Sequence, residues 1–390
     1  MKKNRLRVIV AISLMAVLVM SLFVTGYAKQ QDLRVALITS AAGANDKGYN
    51  ESAIKGLEQA KKLFKIQYKV VESSDIPGSL TQLAENGYQV IFSLEYNFDA
   101  LIKGVGGKKA IAAQYPNTTF VVFNDSPNID ENGKVINKNV VSVLFDVHES
   151  SFMAGVLSVL VNENAKILFN TQDYNFTAGD AGRKIGFIGG TKSNGITVFS
   201  YGFAEGINYE AKKLNVKYTY FSDYNAGFTD SAAGATKANT YYQNGANVVF
   251  GVAGAVGDGI DSKAKEVKKL SIEVDANKDG NQPGYVLTSV LKNTRVPVLA
   301  IIKNLKNGTL NQVNGKVINY NLASGATGIT DLSVIESKVT PQGKTKWTEI
   351  KSELSTVAKK IANGSIKVTN AQAGVTFHKA NLKELSMPND

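Results

Sequence analysis

The sequence predicts an α/β protein in which two Rossmann-like lobes, joined by a hinge, face each other across a central ligand cleft. Three observations support this fold class. Short apolar runs rich in valine, isoleucine and phenylalanine alternate with amphipathic segments, and each run ends in a glycine or polar turn. The second half of the chain repeats the plan of the first. The 390 residues also exceed what one hydrophobic core usually holds, which favours two lobes.

The first half predicts five strands separated by helices. We expect strands at 33–39, 66–72, 90–93, 119–123 and 139–145, and helices at 51–64, 79–86, 100–115 and 149–161. In the first helix Ala53, Leu57 and Leu63 belong to one apolar stripe, while Glu58 and Lys61 fall on the opposite side. One face of this helix should therefore pack on a sheet.

The second half predicts the same alternation. We expect strands at 184–188, 217–221, 247–252, 271–274 and 285–289, and helices at 197–213, 232–244 and 257–269. The segment 162–183 is too long for a simple turn and is expected to form a surface excursion. The last segment predicts one helix at 347–362, followed by a polar tail.

Four basic residues, Lys2, Lys3, Arg5 and Arg7, precede an apolar stretch at 8–24, which is the layout of a secretory signal. We therefore expect an exported protein at the outer face of the cell membrane. The sequence leaves open whether the signal is cleaved near residue 28 or retained as an anchor. The predicted domains are a signal peptide at 1–28, lobe 1 at 29–145 with a returning segment near 290–320, lobe 2 at 146–289 with a segment near 320–340, and a C-terminal helix and tail at 341–390.

The composition excludes several kinds of functional site. The chain has no cysteine, which excludes disulfides, catalytic thiols and a lipid-bearing cysteine, and its two histidines leave little material for a zinc site. The sequence DANKDG at 275–280 begins like a calcium loop, but Val286 stands where a bidentate glutamate is needed. We expect no metal, no cofactor and no catalytic residues.

The protein is mildly basic. The formal charge of +11 falls to +7 without the four basic residues of the signal. The lysines occur as scattered pairs in predicted helices, which favours solvated helix faces over a nucleic-acid groove, and attraction to an anionic membrane surface also fits. We expect no nucleic-acid partner.

Carboxylates, amides and aromatic rings follow the predicted strand ends, where ligands of such sheets bind. The candidate binding residues are Asp46, Tyr49, Asn50 and Asp125 in the first half, and Phe228, Gly254, Asp275 and Lys292 in the second. Rings can stack on a planar base, carboxylates can accept hydrogen bonds from hydroxyls, and one lysine can donate. The set suits a neutral, flat, polyhydroxylated ligand. Each residue also has an ordinary alternative, since Asn50 can cap a helix, Asp46 can hold an Asx turn and Tyr49 can wedge against a neighbour.

The segment ANDKGYNESAIKGLEQA, which starts at Ala44, resembles the Asp-Lys-Ser-Phe-Asn-Gln-x-x-x-x-Gly signature of the basic membrane protein family, the purine nucleoside-binding proteins of bacterial ABC importers. Further segments are similar to that family's blocks and follow in the family's order, namely NVVSVLFDVHESSFMAGVLSVL, KIGFIGG, FSYGFAEGI, GFTDSAAG, GANVVFGVAGAVGDGI, SIEVDANKD and VLTSVLKN. Together they cover the chain from Leu33 to about Asn321. Ordered blocks over this length are more specific than any single motif.

The resemblance implies a type I periplasmic-binding-protein-like fold that closes on a purine nucleoside of the adenosine, guanosine or inosine class. It implies that Asp46 and Asn50 contact the nucleoside and that Asp125 belongs to the polar wall of lobe 1. Tyr49 and Phe228 would hold the base, and Asp275 and Lys292 the ribose. Gly254 would let the ligand approach backbone N–H groups at a helix start. The implied partner is an ABC permease, and we expect a monomer.

Three departures from the family pattern stand out. Gly48 and Glu51 replace the usual serine and glutamine, and Tyr49 adds a hydroxyl that needs a partner. Tyr27 stands where the lipidated cysteine of the family would follow Gly26, which argues against a lipid anchor on this chain.

The sequence therefore predicts a binding protein that captures a nucleoside outside the membrane and delivers it to a permease. Three alternatives remain. The ligand could be a sugar or another small polar solute, because the same architecture accepts many ligands. The protein could be an exported nucleoside hydrolase, which would need a metal cluster or an activated water, or a surface adhesin that binds macromolecules through its basic face.

Overall fold

In a computed structural model, the protein contains two sheets of mostly parallel strands. Helices cover each sheet. The structure describes residues 32–95, 97–371 and 381–388. The predicted signal at 1–28, including Tyr27, lies outside these residues. No helix in the described part of the chain combines the length and the apolar composition needed to span a membrane.

Strands and helices alternate as the hydrophobic pattern predicts. The strands are β1 (Arg34–Ile38), β2 (Gln67–Val71), β3 (Val90–Ser93), β4 (Thr119–Phe123), β5 (Val140–Phe145), β6 (Lys184–Gly189), β7 (Tyr218–Asp223), β8 (Val248–Val252), β9 (Leu270–Asp275), β10 (Val286–Lys292), β11 (Val317–Tyr320), β12 (Thr327–Ile329) and β13 (Leu385–Ser386). The helices are α1 (Tyr49–Phe64), α2 (Ile76–Glu85), α3 (Asp99–Ile102), α4 (Ile111–Gln114), α5 (Val147–Leu168), α6 (Asn194–Leu214), α7 (Ser231–Gln243), α8 (Val256–Glu266), α9 (Arg295–Lys306), α10 (Ser333–Glu336) and α11 (Lys344–Ala362). All ten predicted strands are confirmed, with small shifts at their ends.

The order of strands in the first sheet is β11-β5-β4-β3-β1-β2, and all of these neighbours pair in parallel. In the second sheet the order is β12-β10-β9-β8-β6-β7-β13, and only β10 and β12 are antiparallel. The chain passes from one sheet to the other after β5, after β10 and after β11. These three connections link the two lobes, and the carboxyl ends of the parallel strands face the cleft.

Helix α1 begins and ends as its sequence dictates. Ala53 and Leu57 are buried, whereas Leu63, assigned to the same stripe, is 59% exposed. The helix ends at Lys65, which adopts the left-handed conformation with φ of 58° and donates its N–H to the carbonyl of Lys61.

Glycines bring α5 and α6 into backbone contact. A Cβ added at Gly206 would lie 2.0 Å from the carbonyl oxygen of Phe152, and one added at Gly155 would lie 2.3 Å from that of Phe203. The close approach leaves no room for a methyl group at either position. These two helices therefore pack with their backbones in direct contact.

Two predictions were wrong in their local detail. The single helix expected at 100–115 is split into α3 and α4, because Gly104, Gly106 and Gly107 all have positive φ angles between them (82°, 62° and 76°). The segment 162–183 is a surface excursion only in its second part, since α5 continues to Leu168 and Tyr174 is buried, while most of residues 170–181 are exposed. The hydroxyl of Tyr174 donates to the carbonyl of Gly284, which anchors this segment to the second lobe.

The helices α9 and α10 and the short strands β11, β12 and β13 were not predicted from the sequence. Short edge strands carry too few residues for a periodic pattern to be detectable. The polar tail is attached to the second lobe at two points within the described residues. The N–H and hydroxyl of Thr369 both donate to the carboxylate of Glu205. Tyr218 donates its N–H to the carbonyl of Glu384 at 2.9 Å.

We expect the substitution Gly206→Ala to destabilise the fold by about 1–3 kcal/mol, because the added methyl group would force α5 and α6 apart. Urea denaturation of the variant and the wild-type protein measures this loss. Gly280→Ala serves as a matched control, since a Cβ at Gly280 meets no atom within 4 Å. Equal stability of the two variants would contradict the proposed tight contact.

Candidate functional site

A cavity of about 370 Å³ lies where the carboxyl ends of strands from both sheets meet. This volume is within the range of small-molecule sites, which is roughly 300–1,000 Å³. Its lining comes from the loops after β1, β3, β7, β8, β9 and β10 and from the start of α6, and consists of Ser40, Ala41, Ala42, Asp46, Tyr49, Glu95, Gly195, Ile196, Phe199, Phe228, Thr229, Val252, Ala253, Gly254, Val274, Asp275 and Lys292. Six of the eight residues singled out from the sequence therefore share one cavity.

Asp46 caps helix α1. Its carboxylate accepts backbone hydrogen bonds from Gly48 at 3.0 Å, Asn50 at 2.8 Å and Glu51 at 3.0 Å. These bonds satisfy N–H groups that the first helical turn leaves unpaired. Asp46 thus fixes the loop after β1 and, at the same time, presents its carboxylate to the cavity.

Asn50 is buried and does not line the cavity. Its side-chain oxygen accepts from the backbone N–H of Ser40 at 2.9 Å, and its amide donates to the Ser40 hydroxyl at 2.9 Å. Asn50 therefore fixes Ser40, which does line the cavity. Asp125 is exposed at the end of β4, where its carboxylate accepts the N–H of Ser126 at 2.7 Å, and it too lies outside the lining.

The hydroxyl of Tyr49 is used by the scaffold. It accepts a hydrogen bond from the side-chain amide of Asn124 at 2.7 Å and donates to the carbonyl of Leu94 at 3.4 Å. The ring meets Phe123 edge to face at 6.5 Å between centroids, and only 7% of Tyr49 is exposed. The extra hydroxyl relative to phenylalanine is thereby satisfied away from the ligand.

Phe228 presents the more exposed aromatic ring of the cavity. Its other side lies against Gly190, where an added Cβ would come within 2.3–2.7 Å of three ring atoms. The carbonyl of Phe228 accepts the N–H of Ala255 at 2.9 Å, and Gly254 adopts a φ of 56° beneath it. Two glycines thus provide the space that this ring occupies.

Lys292, the last residue of β10, carries the cation of the cavity. Its Nζ lies 5.2 Å from the ring centroid of Tyr49 and 5.5 Å from those of Phe145 and Phe199, within the range of cation–π attraction. Burial lowers the pKa of the Lys292 ammonium to about 8, while the charge of Asp275 acts in the opposite direction.

Asp275 ends β9 with a φ of 72°, an uncommon conformation for a residue other than glycine. Burial raises the pKa of its carboxyl to about 6, and the charges of Lys292 and Lys278 counteract that rise. With Asp46 and Glu95, the cavity holds three carboxyl groups against one ammonium. This balance favours a ligand that donates hydrogen bonds and disfavours an anion.

The sequence analysis missed Phe199, Gly195 and Ile196 as lining residues. They follow β6 at the same carboxyl edge as the other site residues, so the glycine-rich end of KIGFIGG was a detectable signal. Among the described residues no group of three or more histidine, aspartate or glutamate side chains could hold a metal ion.

Comparison with known proteins gives a consistent result. A family model described as "ABC transporter substrate-binding protein PnrA-like" matches residues 33–360. The ABC transporter nucleoside-binding protein BmpA of Lactococcus lactis is 28% identical over 322 residues, which cover 76% of this chain and 81% of that protein. Basic membrane protein A of Borreliella afzelii is 27% identical over 329 residues, covering 83% of this chain and 88% of that protein.

Solved structures show the same fold. An ABC transporter solute-binding protein from Aeropyrum pernix superimposes with a TM-score of 0.71 at 19% identity, covering 90% of this chain and 97% of that one. One from Conexibacter woesei gives a TM-score of 0.60 at 15% identity, covering 87% and 99%. The predicted two-lobed, type I periplasmic-binding-protein-like fold is thus confirmed.

We expect Tyr49→Phe to lower the free energy of unfolding by about 1–3 kcal/mol, because the buried amide of Asn124 loses its 2.7 Å acceptor. Chemical denaturation measures the change. Tyr68→Phe is the control, since the hydroxyl of Tyr68 makes no hydrogen bond within the described residues. A loss no larger than that of the control would show that the Asn124–Tyr49 bond contributes little.

Proposed function

The chain belongs to the PnrA-like family of ABC transporter substrate-binding proteins, and from this premise we propose that it binds a purine nucleoside between its two lobes and delivers it to the permease. Family and fold are those of substrate-binding proteins and not of enzymes. Such proteins act outside the cytoplasm on a small-molecule ligand and have a permease as partner. The purine nucleoside is the specific part of the proposal.

One observation carries the proposal. The accessible ring of Phe228, the carboxyl of Asp275 and the ammonium of Lys292 line the same cavity of about 370 Å³. A flat base can stack on Phe228, with the Tyr49 and Phe199 rings also in the wall, while ribose hydroxyls donate to Asp275 and accept from Lys292. The relative from Lactococcus lactis that carries the name nucleoside-binding protein supports the same ligand class.

The remaining candidate residues have distinct roles in this proposal. Asp46 uses three acceptor sites of its carboxylate for helix α1, which leaves capacity for one hydrogen bond from the ligand. Gly254 gives the ligand access to backbone near the start of α8. Asn50 acts through Ser40, and Asp125 supplies the outer polar wall of lobe 1.

The proposal extends to location and assembly. The basic and apolar N-terminal segment supports export to the outer face of the cell membrane, where the mildly basic surface fits an anionic membrane. Tyr27 stands at the position of the family's lipidated cysteine, so the proposal includes no lipid anchor. We propose a monomer that makes no contact with nucleic acid.

Isothermal titration with adenosine, guanosine and inosine tests the ligand. We expect binding of at least one of them, and a loss of about ten-fold in affinity for Phe228→Ala, because stacking on an aromatic ring contributes about 1–3 kcal/mol per base. Asp275→Ala should weaken binding by a similar factor through the ribose. Phe176→Ala, which removes a half-buried ring outside the cavity, should leave the affinity unchanged.

Thermal shift separates the alternatives. Stabilisation by a sugar but by no nucleoside would overturn the proposal in favour of another solute, and release of a free base would indicate a hydrolase. A melting temperature that no solute raises would favour the surface adhesin.

The pH dependence of nucleoside affinity follows from the two pKa values in the cavity. The ionised carboxylate of Asp275 accepts hydroxyl hydrogen bonds more strongly than the protonated carboxyl does, so affinity should fall below its pKa of about 6. Lys292 carries its full positive charge only below its pKa of about 8, so affinity should also fall above that pH. We therefore expect a maximum between these values, measured by titration across that range. In Lys292→Met the alkaline fall should disappear, and a wild-type affinity that stays constant across the range would contradict these roles.

A further inference from the structure

Lys292 has an environment that sets it apart from the other buried lysines. Three lysines are buried among the described residues, namely Lys269, Lys278 and Lys292. The Lys278 ammonium forms an ion pair with Glu273 at 3.0 Å, and that of Lys269 donates to the Thr177 hydroxyl at 2.9 Å and the Ala246 carbonyl at 2.8 Å. Both are fixed by hydrogen bonds to the protein.

The amine of Lys292 instead makes no hydrogen bond to any described residue. It lies among the rings of Tyr49, Phe145 and Phe199, each 5.2–5.5 Å away, and it lines the cavity. Aromatic rings attract an ammonium but accept no proton from it, so the nitrogen can lose its proton without breaking a hydrogen bond to the protein. The nitrogen lone pair then faces the cavity.

We propose that Lys292 is a nucleophilic amine that captures a small neutral aldehyde from the cavity as an imine. The lone pair of the neutral amine attacks the carbonyl carbon, and the carbonyl oxygen takes a proton to give a carbinolamine. The hydroxyl then takes a second proton from solvent, the C–O bond breaks with departure of water, and the nitrogen returns its remaining proton to solvent. Amine and aldehyde thus give imine and water, without any oxidant or reductant.

The uncharged surroundings of Lys292 favour this reactivity and outweigh the charge of Asp275, which opposes it. Its three ring neighbours, from α1, β5 and α6, are uncharged, and the charged neighbour is Asp275 at the end of β9. Burial lowers the pKa of Lys292 to about 8, so that about half of the amine is neutral at that pH. An exposed lysine, with a pKa near 10.4, is neutral to less than about 1% at the same pH.

The lining defines the class of aldehyde. Asp46, Glu95 and Asp275 disfavour anionic aldehydes and accept hydrogen bonds from hydroxyls, while Phe228 offers a surface for a flat ring. The cavity therefore suits a neutral aldehyde that is either aromatic or polyhydroxylated, such as the open chain of an aldose. This reactivity depends on Lys292 and its surroundings and holds whether or not the protein binds nucleosides.

Reductive trapping tests the proposal. The full-length protein is treated at pH 8 with benzaldehyde, a neutral aromatic aldehyde, at less than one equivalent and with sodium cyanoborohydride, which reduces an imine to a stable secondary amine. Intact mass and peptide mapping then locate the adduct. We expect a single adduct on Lys292, formed at least about ten-fold faster than on the exposed Lys47 near the same cavity.

Matched variants control for accessibility. Lys292→Arg keeps the charge and should abolish the fast labelling, whereas Lys278→Arg and Lys47→Arg should retain it at Lys292. If Lys292→Arg does not fold, the wild-type peptide map decides by itself. Adducts spread over exposed lysines with an unmodified Lys292 peptide would overturn the proposal. Because no nucleoside is present, this outcome is independent of the titrations that test the proposed function.

Discussion

The parallel arrangement of the strands is the constraint on which the rest of this structure depends. A parallel strand cannot be followed by a tight hairpin, so the chain returns through a helix and all strands of a lobe end at the same edge. The two sheets direct these edges toward one cleft. Asp46, Asp275 and Lys292 therefore line one cavity although more than 200 residues separate the first from the other two. The strand topology brings the site residues together, and their side chains then determine what the site can bind.

Two residues with strained backbone and two glycines lie at this edge. Asn124, which follows β4, and Asp275, the last residue of β9, have φ angles of 67° and 72°. Such conformations cost energy for residues with a Cβ and persist only where surrounding contacts hold them. The amide of Asn124 holds Tyr49, and Gly190 and Gly254 make room for Phe228. The scaffold thus orders the aromatic walls before any ligand arrives, which reduces the entropy that a ligand must give up.

A buried polar layer supports the acidic wall from behind. Glu273 pairs with Lys278 at 3.0 Å, and Asp261 accepts from the hydroxyl of Ser271 at 2.7 Å. Burial and the nearby charge of Glu273 raise the pKa of Asp261 well above its ordinary value. Breaking such a pair would leave an uncompensated charge in the interior, so these residues hold β9 and its terminal Asp275 in one arrangement.

The sequence by itself determined the alternation of strands and helices, the two lobes and the six candidate residues that line the cavity, because strand ends and helix starts are local signals. These six include Tyr49 and Phe228, two of the three aromatic rings that the described residues contribute to the cavity. Only the tertiary structure decided the direction of each side chain. The side chain of Asn50 bonds to Ser40, Asp125 is exposed, and Phe199 lines the cavity although it was not predicted to do so. Each of these orientations depends on packing between segments that are distant in the chain. The same holds for Lys292, whose surroundings of three rings arise from elements of both lobes and leave its amine facing the cavity.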